Sequence, residues 1–396
     1  MRSQSLNYSF IWLMAAMMSL TALSIDALLP AMGFIRAKFE IEATAGHWII
    51  TCVFFGLSIG QIFFGPLADS IGRKPVAFIG ITIFMIGNLI AFLAPNYFYL
   101  LLGRILQGIG ASAPRVVSQA MIRDVSSGPI MAKMMSFVMT IFIVVPVVAP
   151  VLGQFVIWLI GWKFIFLILI GYSIFIFIWL ATGQKETLTS KRSFSLISVT
   201  RGFIEVFKNK ITLGYLLTTG VIFGSLISFL NMCQPLFQET YRVGDKFSFY
   251  FAGTAIIIGG SAFINSRLVS KINLQVIISY AFLWVWGWSG LFLCYSLIFH
   301  DLMLTEFLIF SVPAFASLGF LFSNVNALAL SPMGHIAGTA SAAIGTCSNI
   351  LAIIIGAFAT IFFVGSPTPL IIVFFLGSSF NIVVIIALKH FKLKLH

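Results

Sequence analysis

Long apolar runs recur along the whole chain, separated by short links that carry Gly, Pro, Asn or charged residues. A helix needs about 20 mostly apolar residues to cross the hydrocarbon core of a bilayer. Twelve runs have that length and composition, and each predicts a membrane-spanning helix. The predicted spans cover residues 9–29, 46–66, 76–94, 98–121, 132–158, 163–182, 212–234, 248–266, 275–298, 303–325, 337–363 and 369–388.

One link, residues 184–210, is both long and polar, and it lies near the middle of the chain. It divides the sequence into two halves of six predicted spans each, residues 1–183 and 211–396. A short repeat supports this division, since Gly65–Lys74 joins spans two and three while Ser266–Lys271 joins spans eight and nine. The pattern predicts an all-α integral membrane protein with 12 transmembrane helices in two pseudo-symmetric six-helix halves.

Composition excludes a soluble globular fold. Of 396 residues, 60% are hydrophobic and 9% are charged, whereas soluble domains carry about 25% charged residues. The four cysteines all lie in apolar runs, so no disulfide framework is indicated.

The formal net charge of +12 predicts membrane topology and not nucleic-acid binding, because the sequence has no soluble basic domain that a duplex could contact. Cytoplasmic loops of membrane proteins carry an excess of Lys and Arg. With the N-terminus inside, 16 of the 23 Lys and Arg residues fall in inner loops and termini, and five fall in outer loops. Both termini are therefore predicted to be cytoplasmic.

The remaining two, Arg104 and Arg115, lie inside predicted span four. An arginine at the centre of a span costs about 2.5–3.5 kcal/mol on insertion scales, so each should face a cavity or an acid. At about 100° per residue, the two arginines lie on one stripe of the helix, with Gln107 or Gly108 between them.

Three further patterns carry chemistry. Gly65 and Gly72 flank a loop in which tight turns are allowed, and Asp69 and Arg73 place opposite charges there. Arg123-Asp124 ends span four on the same predicted side. Span five contains residues that permit bending or close packing of a helix, namely Pro146, Pro150 and Gly153.

Polar residues inside the spans suggest a substrate cavity. Asp26 and Glu306 are the acids within the predicted boundaries. Amides in spans line cavities or form interhelical hydrogen bonds, and the sequence does not distinguish the two. The candidate cavity residues are Gln107, Arg115, Asn231, Gln234 and Asn349.

The loop sequence G-P-L-A-D-S-I-G-R-K resembles the signature of the major facilitator superfamily. Arg104-x-x-Gln-Gly resembles its fourth-span motif, and Pro146–Gly153 resembles its antiporter motif, although Gln154 stands where a second glycine is usual. Further segments are similar to the Bcr/CflA family of multidrug exporters: Asp26–Pro30, Gly161–Phe166, Glu186–Leu188, Asn265–Val269 and Ala337–Ala342.

This resemblance implies a major facilitator fold and proton-coupled export of drugs or other small amphipathic molecules by alternating access across a bacterial inner membrane. It also implies a monomer surrounded by membrane lipid, with protons and a small-molecule substrate as partners, no cofactor, no metal and no nucleic acid. In the resembled superfamily, the matching loop and span-four residues form a cytoplasmic gate; here they are Gly65, Asp69, Gly72, Arg73 and Asp124.

We expect Asp26 to carry the proton, with Arg104 as its electrostatic partner. The alternative is that Asp26 merely ends helix one near water, ahead of Pro30, and titrates normally.

Three other function classes compare with a drug exporter as follows. A proton-coupled transporter of one native metabolite or siderophore is the alternative to a drug exporter, and Arg115 would suit an anionic cargo. An enzyme is not expected, because the five histidines lie at loops, span edges or the C-terminus. An ATP-driven pump is excluded because the sequence lacks a G-x-x-x-x-G-K-[ST] loop.

Overall fold

The computed structural model describes residues 8–42, 45–189, 191, 196–299 and 302–393. Both chain ends, which are predicted to be cytoplasmic, extend outside these residues. The described residues form α-helices joined by short turns and contain no strand. The helices are α1 Tyr8–Asp26, α2 Met32–Phe39, α3 Trp48–Ser70, α4 Arg73–Leu93, α5 Tyr97–Val125, α6 Gly128–Ile160, α7 Phe164–Gly183, α8 Leu196–Lys208, α9 Lys210–Gln234, α10 Phe247–Leu268, α11 Leu274–Phe299, α12 Leu304–Leu330, α13 Ala337–Ile361 and α14 Thr368–Leu393.

The long helices confirm the prediction of an all-helical membrane protein. Within the described residues, eleven helical stretches are long and apolar enough to cross a membrane. The one predicted span not among these eleven is span four, which corresponds to α5. This helix has 29 residues and is long enough to span, but it is less apolar because it carries Arg104 and Arg115. Most helices begin and end within a few residues of the predicted boundaries, because the apolar runs are bounded by charge, Gly or Pro.

The chain forms two compact units. The N-unit contains Met1–Glu40 and Trp48–Val199, and the C-unit contains Ile41–His47 and Thr200–His396.

In the N-unit, α5 packs tightly against α3 and α4 through small residues. A Cβ atom on Gly108 of α5 would lie 2.1 Å from the carbonyl oxygen of Val53 on α3. A Cβ on Gly56 of α3 would likewise lie 2.1 Å from the carbonyl oxygen of Ile105. Backbones approach this closely only where side chains are absent, which is the usual way that helices pack in a membrane.

In the C-unit, polar side chains join helices that lie apart in the sequence. Asn265 of α10 and Asn324 of α12 exchange hydrogen bonds through their side-chain amides, at 3.2 and 2.8 Å. Ser348 of α13 donates to the carbonyl oxygen of Leu216 on α9 at 3.1 Å. Such bonds satisfy polar groups that lipid cannot, so they fix which helix faces pair.

The link predicted at 184–210 contains an unpredicted helix. Its second part, α8, is amphipathic, with apolar residues at helical spacing. The sequence reading passed over it because Ser, Thr, Lys and Arg precede it, and because 13 residues are too few to span a bilayer.

Candidate functional site

The charged loop between α3 and α4 forms an ion-pair cluster. Arg73 donates from Nε to Oδ2 of Asp124 at 3.0 Å, and its Nη1 pairs with Oδ1 of Asp69. The Arg73 side chain is largely buried beneath the loop, so its charge is compensated on both sides. The structure thus brings together the three charged residues that the sequence predicted for a gate.

The two glycines of that loop differ. Gly72 has φ +120°, which only glycine adopts readily, and it precedes the first residue of α4. Gly65 lies inside α3, where a Cβ would meet only Val116, at 3.9 Å. The expectation that Gly65 forms part of the tight turn is therefore wrong, because α3 continues to Ser70.

Glu186, in the segment after α7, caps the start of α4. Its Oε1 accepts a hydrogen bond from the backbone N–H of Arg73, and its Oε2 accepts one from that of Lys74, both at 3.0 Å. The backbone N–H groups of Thr187 and Leu188 also donate to Oε1, each at 2.9 Å. Partial burial alone would raise the pKa of the Glu186 carboxyl, but these four hydrogen bonds outweigh it and hold the pKa below its ordinary value.

Three further hydrogen bonds attach the end of α7 and the segment after it to Lys74 and to the ion-pair cluster. Lys74 donates from Nζ to the carbonyl oxygens of Ala181 and Gln184, at 2.8 and 2.7 Å. The Thr187 hydroxyl donates to Oδ2 of Asp124 at 3.0 Å. We call Asp69, Arg73, Asp124 and Glu186 the charged clasp. Sequence reasoning noted Glu186–Leu188 only as a family match, since no local pattern shows that α7 ends beside α4.

Arg104 is fully buried inside the N-unit and bound mainly by backbone oxygens. Its Nε donates to the carbonyl oxygen of Ile49 at 2.9 Å, and its Nη1 donates to that of Ser24 at 2.7 Å. Nη1 also bonds Oε1 of Gln107, whose Nε2 donates to Asn88 at 2.7 Å. Its Nη2 has no hydrogen-bond partner among the described residues. Gln107 is therefore fully buried within this network and not on an open cavity wall.

Asp26 lies at a break in the first span. The helix α1 ends at Asp26, and the chain turns through the short 3₁₀ segment Leu29–Ala31 into α2. Together they form one helical stretch, Tyr8–Phe39. The placing of Asp26 near the outer end of span one stays a prediction, and α1 itself ends at Asp26. The side chain is 6% exposed, which disfavours the reading of an ordinary carboxyl in water.

The structure does not join Asp26 to Arg104. Within the described part of the chain, no ion pair or hydrogen bond links the two side chains. Arg104 instead binds the backbone carbonyl of Ser24, two residues before Asp26 on α1.

Gly153 brings α6 against this break. A Cβ atom on Gly153 would lie 2.0 Å from the carbonyl oxygen of Ala27, the residue after Asp26. The backbones of α6 and the α1 break are therefore in direct contact, and only glycine allows it. Pro146 and Pro150 lie inside α6, up to two turns earlier, where each removes a backbone hydrogen bond.

An apolar groove of about 440 Å³ runs along α1, α6 and α7. Its walls include Trp12, Ala16, Gly153 and Trp179. The polar feature within it is a hydrogen bond of 2.9 Å between the hydroxyls of Ser19 and Tyr172.

The remaining cavity candidates are dispersed. Arg115 is half-buried on α5, while Asn231, Gln234 and Asn349 are buried in the C-unit. Gln234 donates to Oε1 of Gln238, at 2.9 Å, within a π-helical turn at Pro235–Thr240. Both amide atoms of Asn231 lack a hydrogen-bond partner among the described residues, so this side chain has unused capacity to bind a polar group.

Glu306, the other acid within the predicted spans, caps a helix. Its Oε2 accepts from the backbone N–H of Met303 at 2.8 Å, and its Oε1 accepts from the Tyr295 hydroxyl at 2.6 Å. Both oxygens are therefore occupied at the start of α12, which is the pattern of a helix cap.

Comparison with known proteins gives one family. A sequence model described as the Major Facilitator Superfamily matches residues 14–357. The chain is similar to a bicyclomycin resistance protein homolog of Haemophilus influenzae, with 27% identity covering 90% of each chain. It is also similar to the multidrug resistance protein MdtL of Vibrio parahaemolyticus, with 28% identity over 61% of each chain. Among solved structures, a D-xylose–proton symporter has a TM-score of 0.71 at 13% identity, covering 96% of this chain and 97% of that one.

Proposed function

The chain belongs to the Major Facilitator Superfamily, and we propose that it is a proton-coupled exporter of drugs or other small amphipathic molecules. Membership makes it a membrane transporter, and the likeness to bicyclomycin and multidrug resistance proteins favours drugs as cargo. Export takes place across the bacterial inner membrane by alternating access, with both termini in the cytoplasm and the protein acting as a monomer.

One observation carries the coupling part of the proposal. A buried carboxylate, Asp26, ends a broken helix where the backbone of α6 touches the next residue at Gly153. Ionisable residues within membranes are costly and mark ion pathways, and broken helices in transporters surround coupling sites. A shift of α6 at this contact changes the surroundings of Asp26, which is how a moving helix alternately favours binding and release of a proton.

The structure supports the other predicted residues to different extents. Arg104 remains the proposed electrostatic partner of Asp26; its support is limited to a hydrogen bond to the carbonyl of Ser24, two residues before Asp26. Asn231, Gln234, Asn349 and Arg115 remain the proposed cargo contacts, whereas the buried network of Gln107 favours a structural role for that residue. Gly65, Asp69, Gly72, Arg73 and Asp124 remain the proposed cytoplasmic gate, to which we add Glu186 because it caps α4 beside them.

Replacing Asp26 by Asn tests the coupling directly. In everted vesicles with an imposed pH gradient, the wild-type protein should accumulate radiolabelled bicyclomycin or chloramphenicol. D26N should lose gradient-driven uptake because it cannot change protonation state, yet keep passive exchange of the same drugs. The matched control is Glu306→Gln, which removes a carboxylate that caps α12. Gradient-proportional uptake by D26N would place the carrier elsewhere.

The same vesicles distinguish the alternative cargo. If only anionic metabolites or siderophores are taken up, and Arg115→Gln abolishes that uptake, the protein transports an anion and not a range of drugs.

A further inference from the structure

The linker helix α8 is fixed to the C-unit by one of its faces. Gly202 and Val206 are buried on that face, and a Cβ on Gly202 would lie 2.4 Å from the Cγ2 of Thr339. The Glu205 carboxylate also pairs with Nε2 of His335, which lies just before α13. Because these contacts hold one side of α8 against the C-unit, its opposite side faces away from the C-unit.

That opposite side combines large apolar residues with basic ones. Ile197, Ile204 and Phe207 are 67%, 47% and 48% exposed. Arg201 and Lys208 are also exposed. At about 100° per residue, positions 197, 201, 204 and 208 fall within about 60° of one another around the helix. Single exposed apolar residues are ordinary, but an apolar and basic face on a short helix is typical of a membrane-surface helix.

The chain connection holds the C-terminal end of α8 near the bilayer. Helix α8 ends at Lys208, and the membrane-spanning helix α9 begins at Lys210. The one residue between them, Asn209, caps α9 by accepting hydrogen bonds from the backbone N–H groups of Ile211 and Thr212, at 3.1 and 3.0 Å. Consecutive Cα atoms are about 3.8 Å apart, so the end of α8 lies at the membrane surface.

We propose that the outward face of α8 docks on an anionic phospholipid leaflet. Ile197, Ile204 and Phe207 enter the boundary between headgroups and acyl chains, while Arg201 and Lys208 contact lipid phosphates. Charge complementarity selects the occupant, because each Lys or Arg near an anionic surface adds to binding and Lys210 adds a third positive charge at the helix junction. The proposal goes beyond cargo transport, since this surface lies on the linker and its docking requires no substrate.

A fluorescence experiment on the full chain tests this. The four native cysteines are replaced by alanine, and an environment-sensitive fluorophore is attached at Ile204→Cys. A second version carries the label at Lys191→Cys, an exposed linker position outside α8. Both are reconstituted into phosphatidylcholine vesicles with or without phosphatidylglycerol. In the anionic vesicles, nitroxide-labelled lipid should quench the label at 204 while aqueous iodide should not, and the pattern should reverse at 191.

Charge variants then test the recognition of anionic lipid. Removing two positive charges in R201Q/K208Q should reduce the ratio of docked to undocked helix on the order of tenfold. The matched control is K38Q/K246Q, which removes two exposed lysines from predicted outer loops and should leave quenching unchanged. If R201Q/K208Q fails to fold, raising NaCl to high concentration with the unmodified basic residues should weaken docking instead, because salt screens surface charge.

Three outcomes would overturn the proposal. Equal iodide quenching at 204 and 191 would show that the face remains in water. Equal lipid quenching with and without phosphatidylglycerol would remove the role of charge. Protection from both quenchers would show that protein, and not lipid, covers the face.

Discussion

The carboxyl of Glu186 illustrates how much one side chain can organise. It accepts four backbone hydrogen bonds and holds the start of α4 against the end of α7, beside the ion pairs of Arg73. Hydrogen bonds to the charged form of a carboxylate stabilise that form. The charged clasp is therefore expected to depend on the ionisation of Glu186.

This dependence gives a pH prediction. Because its pKa is depressed in the folded protein, Glu186 contributes stability above the unfolded value, about 4.3. That contribution is lost as the pH falls through the folded value. Thermal unfolding of detergent-solubilised protein should show a lower midpoint for Glu186→Gln than for wild type at pH 7, with the gap closing in acid. Glu40→Gln, at an exposed turn residue, should match wild type throughout. A gap that is constant with pH would contradict the role assigned to ionised Glu186.

At the scale of helices, apolar length and flanking charge were enough to predict the spans. The length follows from bilayer thickness, and the flanking charge follows from the cost of placing a charged side chain in hydrocarbon. The elements that sequence reasoning missed have other causes. The break after Asp26 has apolar residues on both sides of it, so hydropathy does not reveal it. The helix α8 is too short to register as a span. The capping of α4 by Glu186 joins residues 112 or more positions apart, which only the fold brings together.

Replacing glycine by alanine should have different effects at Gly153, where α6 contacts the α1 break, and at Gly171, where there is open space. At Gly153, Ala would place its Cβ against the Ala27 carbonyl, and overpacking of this kind costs about 1–3 kcal/mol. At Gly171 of α7, no atom lies within 4 Å of the added Cβ, and Ala in a helix is favoured over Gly by about 0.5–1 kcal/mol. Thermal unfolding should show a lower midpoint for G153A and an unchanged or higher one for G171A. Equal midpoints would mean that α6 moves away from α1 at no cost.

At the scale of the whole molecule, the 16-to-five distribution of Lys and Arg predicts the topology. The division into two six-helix halves and a cytoplasmic linker stays a prediction, and the short segment Ile41–His47 groups with the C-unit. That assignment could not be foreseen, because it depends on where a surface link packs and not on its composition.

Reporter fusions test this topology. Alkaline phosphatase, which is active only outside the cytoplasm, should be inactive when fused after Lys191 or at the C-terminus. Fused after Gly365, between α13 and α14, it should be active. A cytoplasmic reporter such as green fluorescent protein should give the reverse pattern at each site. Phosphatase activity after Lys191 would place the linker outside and contradict the prediction.

The burial of Arg104 constrains how the protein is made. Its guanidinium is held by carbonyls of Ser24 and Ile49, which belong to two earlier helices. As the nascent chain emerges, α5 therefore gains its partners only if α1 and α3 are still beside the insertion machinery. An unpaired arginine in lipid is costly, so the first four spans are expected to leave the translocon as a group. The smallest stable intermediate of biogenesis then contains the chain up to about Val125, the end of α5, and no shorter set of helices.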